Sequence, residues 1–232
     1  MRVLAIGAHP DDLEIFCFGL LSACKARGDE LHLAIATDGA AGVIEGKAMG
    51  RRLAEIRHAE TTAGLASLAI PVMLDLPDGS LVTAVDSLAR ISAHIHRTAP
   101  DLIITHAPED YHPDHRALSQ FVSASAGFTC PVLYAEPLMG VGFQPNFYVD
   151  ITPYFEKKRH AILAHHSQQP EKFLNAATLM NRYRAAQCNA PDGCYAETYR
   201  MDARFPFTDI RAMIPPPPPY RPFYQQGSDG FI

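Results

Sequence analysis

Arg2-Val3-Leu4-Ala5-Ile6-Gly7-Ala8-His9-Pro10-Asp11-Asp12-Leu13-Glu14 sets a short apolar run directly against an imidazole and three carboxylates. An apolar run of this length, stopped by a proline, reads as a buried β-strand. The next segment, Leu13 to Arg27, reads as a helix closing at Gly28. The chain therefore opens as a strand–helix unit with its polar groups at the carboxyl end of the strand. Outward from there the alternation repeats. Leu31–Ala36 is a strand followed by the loop Thr37-Asp38-Gly39-Ala40-Ala41-Gly42. Lys47–Leu68 is a helix, Pro71–Leu76 a strand ending in the turn Pro77-Asp78-Gly79, Leu81–Arg97 a helix and Asp101–Thr105 a fourth strand. Strands joined by helices of this length imply right-handed crossovers and a mostly parallel sheet. A helix from Pro113, a strand at Val132–Ala135, an extended piece at Phe147–Ile151 and helices near Pro153–His165 and Glu171–Ala186 complete the pattern. The expected fold is α/β and Rossmann-like, with the active site at the C-terminal edge of the strands.

A second phrase, His112-Pro113-Asp114-His115, follows the fourth strand after a loop from His106 to Tyr111. In open parallel sheets ligands collect beyond the carboxyl ends of the strands, where strand order reverses. If the first and fourth strands are neighbours, both phrases meet in one crevice. Pro10 and Pro113 each suit the first turn of a helix, which would put Asp11, Asp12 and Asp114 at helix N-termini that favour the ionised carboxylate. Two imidazoles and one carboxylate leave a coordination position open on zinc, the composition of a catalytic site. A bound ion acidifies water and polarises a carbonyl. A nearby carboxylate then takes the proton, while an imidazole steadies the oxyanion or protonates the leaving amine. His9, Asp12 and His115 make a sensible ligand set, with Asp11 as base, His112 as acid and Asp114 orienting His112 and raising its pKa. Spacing alone would let Asp11 and Asp12 exchange roles.

Composition narrows the class. At 232 residues with 47% hydrophobic content, the chain suits a single α/β domain with an ample core. A net charge of −5 offers no basic footprint for nucleic acid. No apolar run approaches the roughly 18–20 residues that span a bilayer, and the opening run is too short for a signal peptide. Five cysteines (Cys17, Cys24, Cys130, Cys188, Cys194) without a CxxC pair read as reduced thiols of a cytoplasmic protein. The run Pro215–Pro219 favours polyproline II. Residues 1–205 are expected to form the catalytic domain and 206–232 a proline-rich tail packed on it or on a neighbouring subunit.

The phrases AHPDD at 8–12 and HPDH at 112–115 resemble the two hallmark motifs of the LmbE/PIG-L family of metal-dependent N-deacetylases. Thr37–Gly42, Arg52-Leu53-Ala54-Glu55, Leu76-Pro77-Asp78-Gly79, His165-His166-Ser167-Gln168 and Tyr195-Ala196-Glu197 extend the resemblance over roughly the first 200 residues. It implies His9, Asp12 and His115 as ligands of Zn²⁺ (or Fe²⁺ or another divalent ion), Asp11 as general base and His112 as electrostatic or acid partner. It also implies Arg52 and Asp78 as holders of sugar hydroxyls. Some relatives carry a mobile tyrosine two residues before the HPDH histidine. That place is Asp110 here, and Tyr111 stands next to the motif instead; His165 is a candidate for the rim of the site. The implied activity is hydrolysis of the acetamide of an N-acetylated aminosugar, in a homo-oligomer such as a trimer or hexamer. The alternatives are a hydratase or lyase of small dicarboxylates, and a non-enzymatic metal-binding module on the same fold.

Overall fold

The strand that opens the chain, β1 (Arg2–Gly7), is buried on both faces at the centre of the molecule in the computed structural model, which describes residues 1–44 and 47–222. Val3 and Ala5 join one apolar cluster, Leu4 and Ile6 the other, so the two-residue period of one strand feeds two cores. After it come α1 (Asp12–Phe16), α2 (Phe18–Arg27), β2 (Glu30–Thr37), a short hairpin of β3 (Val43–Ile44) and β4 (Lys47–Ala48), α3 (Arg51–Leu65), β5 (Val72–Leu76) and α4 (Ser87–Thr98). The second half holds β6 (Leu102–His106), α5 (Pro113–Ala126), β7 (Val132–Ala135), β8 (Phe147–Asp150), α6 (Phe155–Leu163), α7 (Pro170–Gln187) and β9 (Ala196–Met201).

Among the described residues, seven strands form one sheet in the order β5-β2-β1-β6-β7-β9-β8. The first five run parallel, while β9 pairs antiparallel with both β7 and β8. β1 and β6 are direct neighbours, with Val3 opposite Leu102 and Ala5 opposite Ile104. Strand order reverses between them, so the crevice beyond their carboxyl ends is the switch point. The α/β, mostly parallel architecture is as the sequence predicts. No helix among the described residues is long and apolar enough to cross a membrane.

Four local readings need correction. The helix expected over Leu13–Arg27 is broken at Cys17 (φ −143°, ψ 11°). The break leaves the amides of Gly19 and Leu20 free, and both donate to the buried carboxylate of Glu197, at 2.9 and 2.7 Å. Lys158 and the Tyr199 hydroxyl complete this network, donating to Glu197 at 2.7 Å each. The long-range carboxylate, absent from any local pattern, decides where the second helix starts. The helix expected from Lys47 begins instead at Arg51, because Gly50 (φ 53°) turns the chain out of the hairpin. The helix expected from Leu81 begins at Ser87. Leu81 is fully buried with its amide bound to Asp114, which fixes the preceding turn. Pro10 lies in a turn ahead of α1, not in its first turn, whereas Pro113 does open α5. The sequence reading also missed β9.

The chain after residue 205 returns to the body of the fold. Ile210 and Ile214 join the same core cluster as Val3 and Phe18, Asp150 donates its amide to the Pro216 carbonyl, and Arg221 binds the carbonyls of Asn189 and Ala190. The end of the expected tail, 223–232, lies outside the described residues.

Candidate active site

The turn between β1 and α1 is tied down by the strands beside it. Thr37 donates its amide and its hydroxyl to the Ala8 carbonyl, both at 2.8 Å, and the Ala8 amide donates to His106 Nε2 at 3.0 Å. The His9 amide donates to Asp12 Oδ2 at 2.6 Å. Asp11 adopts φ 123°, a conformation rare for a residue with a side chain. Backbone strain of this kind persists where surrounding contacts over-determine it, typically at functional sites. Its result is that two consecutive carboxylates, Asp11 and Asp12, face one cavity.

That cavity, of about 330 Å³, lies at the switch point. His9, Asp12 and His115 converge in it. His9 Nδ1 lies 3.2 Å from His115 Nε2 and 3.6 Å from Asp12 Oδ2, and His115 Nε2 lies 3.4 Å from Asp12 Oδ1. The two Asp12 distances involve different oxygens, and Asp12 Oδ2 also lies 3.0 Å from His106 Nε2. Among the described residues, the groups whose donor atoms all lie within 4.8 Å of one another are His9–His112–His115, Asp12–His106–His115 and His9–Asp78–Asp114, so His115 is shared by the group that holds His9 and the group that holds Asp12. These imidazole and carboxylate donors are of the kind that zinc takes. The outer nitrogens are held as metal-binding imidazoles require. His115 Nδ1 faces Asp110 Oδ2 at 3.0 Å, and His9 Nε2 lies 3.2 Å from Asp78 Oδ1 and 3.4 Å from Asp114 Oδ2.

The electrostatics describe a hole for positive charge. Burial pulls His115 down, but Asp12 and Asp110 outweigh it and push the ring up to about 9. For His9, burial is likewise overcome by the carboxylates of Asp114, Asp12 and Asp78, and the ring ends well above its ordinary value. Burial would raise Asp12, yet the His115 and His106 rings hold it well below the usual carboxylate range. The carboxylates around both rings thus favour positive charge at this point of the cavity. Asp11 differs from its neighbour: burial lifts it to about 6, with Arg57 opposing and Asp12 adding to the shift.

His112 caps α5, and its Nδ1 accepts the amide of Asp114 at 3.2 Å. That bond leaves the proton of the neutral ring on Nε2. Burial and the neighbouring His9 and His115 rings lower the His112 pKa. The Asp114 charge does act to raise the His112 pKa, as expected, but burial and the two rings outweigh it, and the Asp114 carboxylate is not the group that orients the ring. The Asp114 carboxylate instead accepts the amides of Gly79 (2.7 Å) and Leu81 (3.0 Å) and faces His9. Its side chain holds the Asp78 turn against His9.

The remaining expected residues divide. Asp78 lines the cavity, takes the Ala41 amide at 3.0 Å and contacts His9. Tyr111 stands at the mouth, 56% exposed. Arg52 is exposed on α3 and does not line the cavity. Arg57 does: it donates to the Pro10 carbonyl at 2.7 Å, the Gly39 carbonyl at 3.1 Å and Asp11 Oδ2 at 3.2 Å. Five residues turn the helix by roughly 140°, which carries Arg52 to another face. Arg57 sits one turn from the buried Leu53 on the inward stripe with Thr61, a signal the sequence carried. His165 is not at the rim. It is buried, with Nε2 2.8 Å from Glu14 Oε1, which also accepts the Thr61 hydroxyl. Asp110, which backs His115 and also accepts the His112 amide at 2.9 Å, went unassigned as well. A carboxylate in a loop gives little warning of such a role. Ile15, Phe16, Leu138 and Phe173 form an apolar wall, and Gln168 adds an amide.

The chain is 28% identical over 189 residues to the diacetylchitobiose deacetylase of Thermococcus kodakarensis, covering 73% of this chain and 71% of that one. The N,N′-diacetylchitobiose deacetylase from Pyrococcus horikoshii superposes with a TM-score of 0.75 at 23% identity, over 86% of this chain and 83% of the other. The 4-carboxy-2-hydroxymuconate hydratase of Pseudomonas putida KT2440 shares the fold with a TM-score of 0.77 at 21% identity, over 90% and 99% of the two chains. Residues 4–126, the span that carries both phrases, match the PIG-L family, GlcNAc-PI de-N-acetylase. The chain is a member of that deacetylase family.

Proposed function

We propose that the protein removes the acetyl group from an N-acetylated aminosugar or a small molecule containing one, with His9, Asp12 and His115 holding zinc or another divalent ion such as Fe²⁺. The ion, when bound, polarises the acetyl carbonyl and acidifies water. Asp11 takes the proton of the attacking water. Its pKa of about 6 leaves it ionised at neutral pH yet basic enough to accept that proton. Arg57 fixes the Asp11 carboxylate through Oδ2, which leaves Oδ1 for the water. His112, neutral with its proton on Nε2, donates a hydrogen bond to the oxygen that gains charge as the carbonyl is attacked. Asp11 then returns its proton to the departing nitrogen, and acetate and a free amine result. Asp114 and Asp78 keep the His9 ring in place, and Tyr111 and Gln168 border the space left for the sugar. The observation that carries this reading is the convergence of ligand set, strained carboxylate and imidazole in one cavity.

Acetate release from a panel of N-acetylated mono- and disaccharides, with metal-reconstituted protein, tests it. Asp11→Asn is expected to keep its metal by elemental analysis and lose about 10²–10⁴-fold in kcat, whereas His9→Ala loses the metal. Hydration of an unsaturated dicarboxylate, with no acetate from any sugar, would overturn it.

A further inference from the structure

Residues 107–112 join β6 to α5 and carry Asp110, whose carboxylate faces His115 Nδ1 at 3.0 Å. A connecting loop has no ladder of its own, so its aim depends on what grips it. The Asp110 amide donates to the Ala107 carbonyl at 3.2 Å. Arg116, near the start of α5, donates to the Asp110 and Tyr111 carbonyls at 2.8 and 2.7 Å. Both of these grips are local in sequence. The third is not: Arg200 on β9, 91 residues away, donates through Nη2 to both oxygens of Glu109, at 2.8 and 2.6 Å.

Arg200 and Glu109 are partly exposed, at 29% and 26%. An ordinary surface pair of that kind contributes little, because two long side chains must be ordered to form it. In this pair one partner is ordered beforehand. Arg200 lies opposite Tyr134 in the β7–β9 ladder, and its guanidinium stands over the Tyr134 and Phe143 rings, 5.4 and 5.8 Å from their centres. Cation–π attraction to the two rings holds the guanidinium still, so Glu109 meets a fixed partner. Asp110 is the very next residue, and it is buried, with its other oxygen taking the His112 amide at 2.9 Å. A clamp one residue away limits how far that carboxylate can swing. A carboxylate behind a ligating imidazole sets the tautomer and orientation of the ring, and with them the affinity for metal.

We infer that Arg200 is a positioning residue for the metal centre: through Glu109 it fixes the loop that aims Asp110 at His115. The inference rests on the proposed ligand set, and it places a determinant of metal affinity beyond Ala126, where the family match ends. Zinc affinity, measured by competition with a chromophoric chelator, tests it. Arg200→Met keeps an apolar stem against the rings and removes the donors; Glu109→Ala removes the acceptor from a partly exposed loop position. Each is expected to weaken zinc binding about three- to tenfold, less than Asp110→Asn does. In an Asp110→Asn background Arg200→Met should add less than about twofold, because the route through Asp110 is already cut. Thermal melting of the metal-free variants is expected to match that of the unsubstituted protein. Should Arg200→Met fail to fold, Glu109→Ala decides the matter alone. Lowered melting with unchanged zinc affinity per folded molecule, or an undiminished effect of Arg200→Met on top of Asp110→Asn, overturns the inference. Failure of the unsubstituted protein to compete for zinc would overturn the ligand set and the inference together, whereas unchanged affinity in both variants overturns the inference alone.

Discussion

Asp110 stands directly behind the metal ligands proposed above. Its two oxygens serve both histidines of the second phrase, one taking the His112 amide and the other facing His115 Nδ1. Asp110→Asn is expected to lower metal affinity about 10–100-fold, as read by competition with a chromophoric chelator, without unfolding the chain. His165 works deeper in the fold. Burial pulls its imidazole down, but the hydrogen-bonded Glu14 and the Asp11 charge outweigh that and raise it. A raised histidine pKa gives stability that is complete below the unfolded value of about 6.5 and disappears as pH rises through the native one. Breaking such a buried pair costs about 3 kcal/mol, so His165→Asn should show that loss near pH 6 and progressively less at alkaline pH. Denaturant midpoints of both proteins across that range check it, and a constant difference would count against a charged pair.

At the level of elements, the division of α1 from α2 depends on contacts far apart in sequence. Gly19 sits where a Cβ would overlap Ile151 and approach Glu197 Oε1 to 3.0 Å. Gly19→Ala gains about 1 kcal/mol of helix propensity but meets overpacking worth about 3 kcal/mol. A net loss of about 2 kcal/mol in urea denaturation is expected. Such positions explain what the sequence could reveal. Strands buried on both faces and helices between them follow from local pattern, so the parallel half of the sheet was legible, as were the His9 and HPDH phrases at its switch point. The break at Cys17 and the start of α4 were not, because Glu197 and Asp114 impose them from 178 and 33 residues away. β9 was missed because its polar residues Glu197, Thr198 and Arg200 satisfy partners inside the protein. Arg52 carries the motif likeness, but helical phase turns Arg57 and not Arg52 toward the cavity.

At the scale of the whole molecule, the described part of the segment after residue 205 packs back onto the fold. Ile210 is 3% exposed among core residues contributed by β1, α2 and β2. Ile210→Ala is expected to destabilise the protein by about 3 kcal/mol, with metal content per folded molecule unchanged. The match to the family ends at Ala126, and every ligand proposed here lies before that point. The Glu197 carboxylate that receives the first turn of α2 lies after it. A recombinant protein that exchanges the second half for a relative's would acquire a new wall around the substrate. It would also have to import an acid able to meet those two amides, so shuffling of specificity between relatives is constrained by a residue that does not line the catalytic cavity.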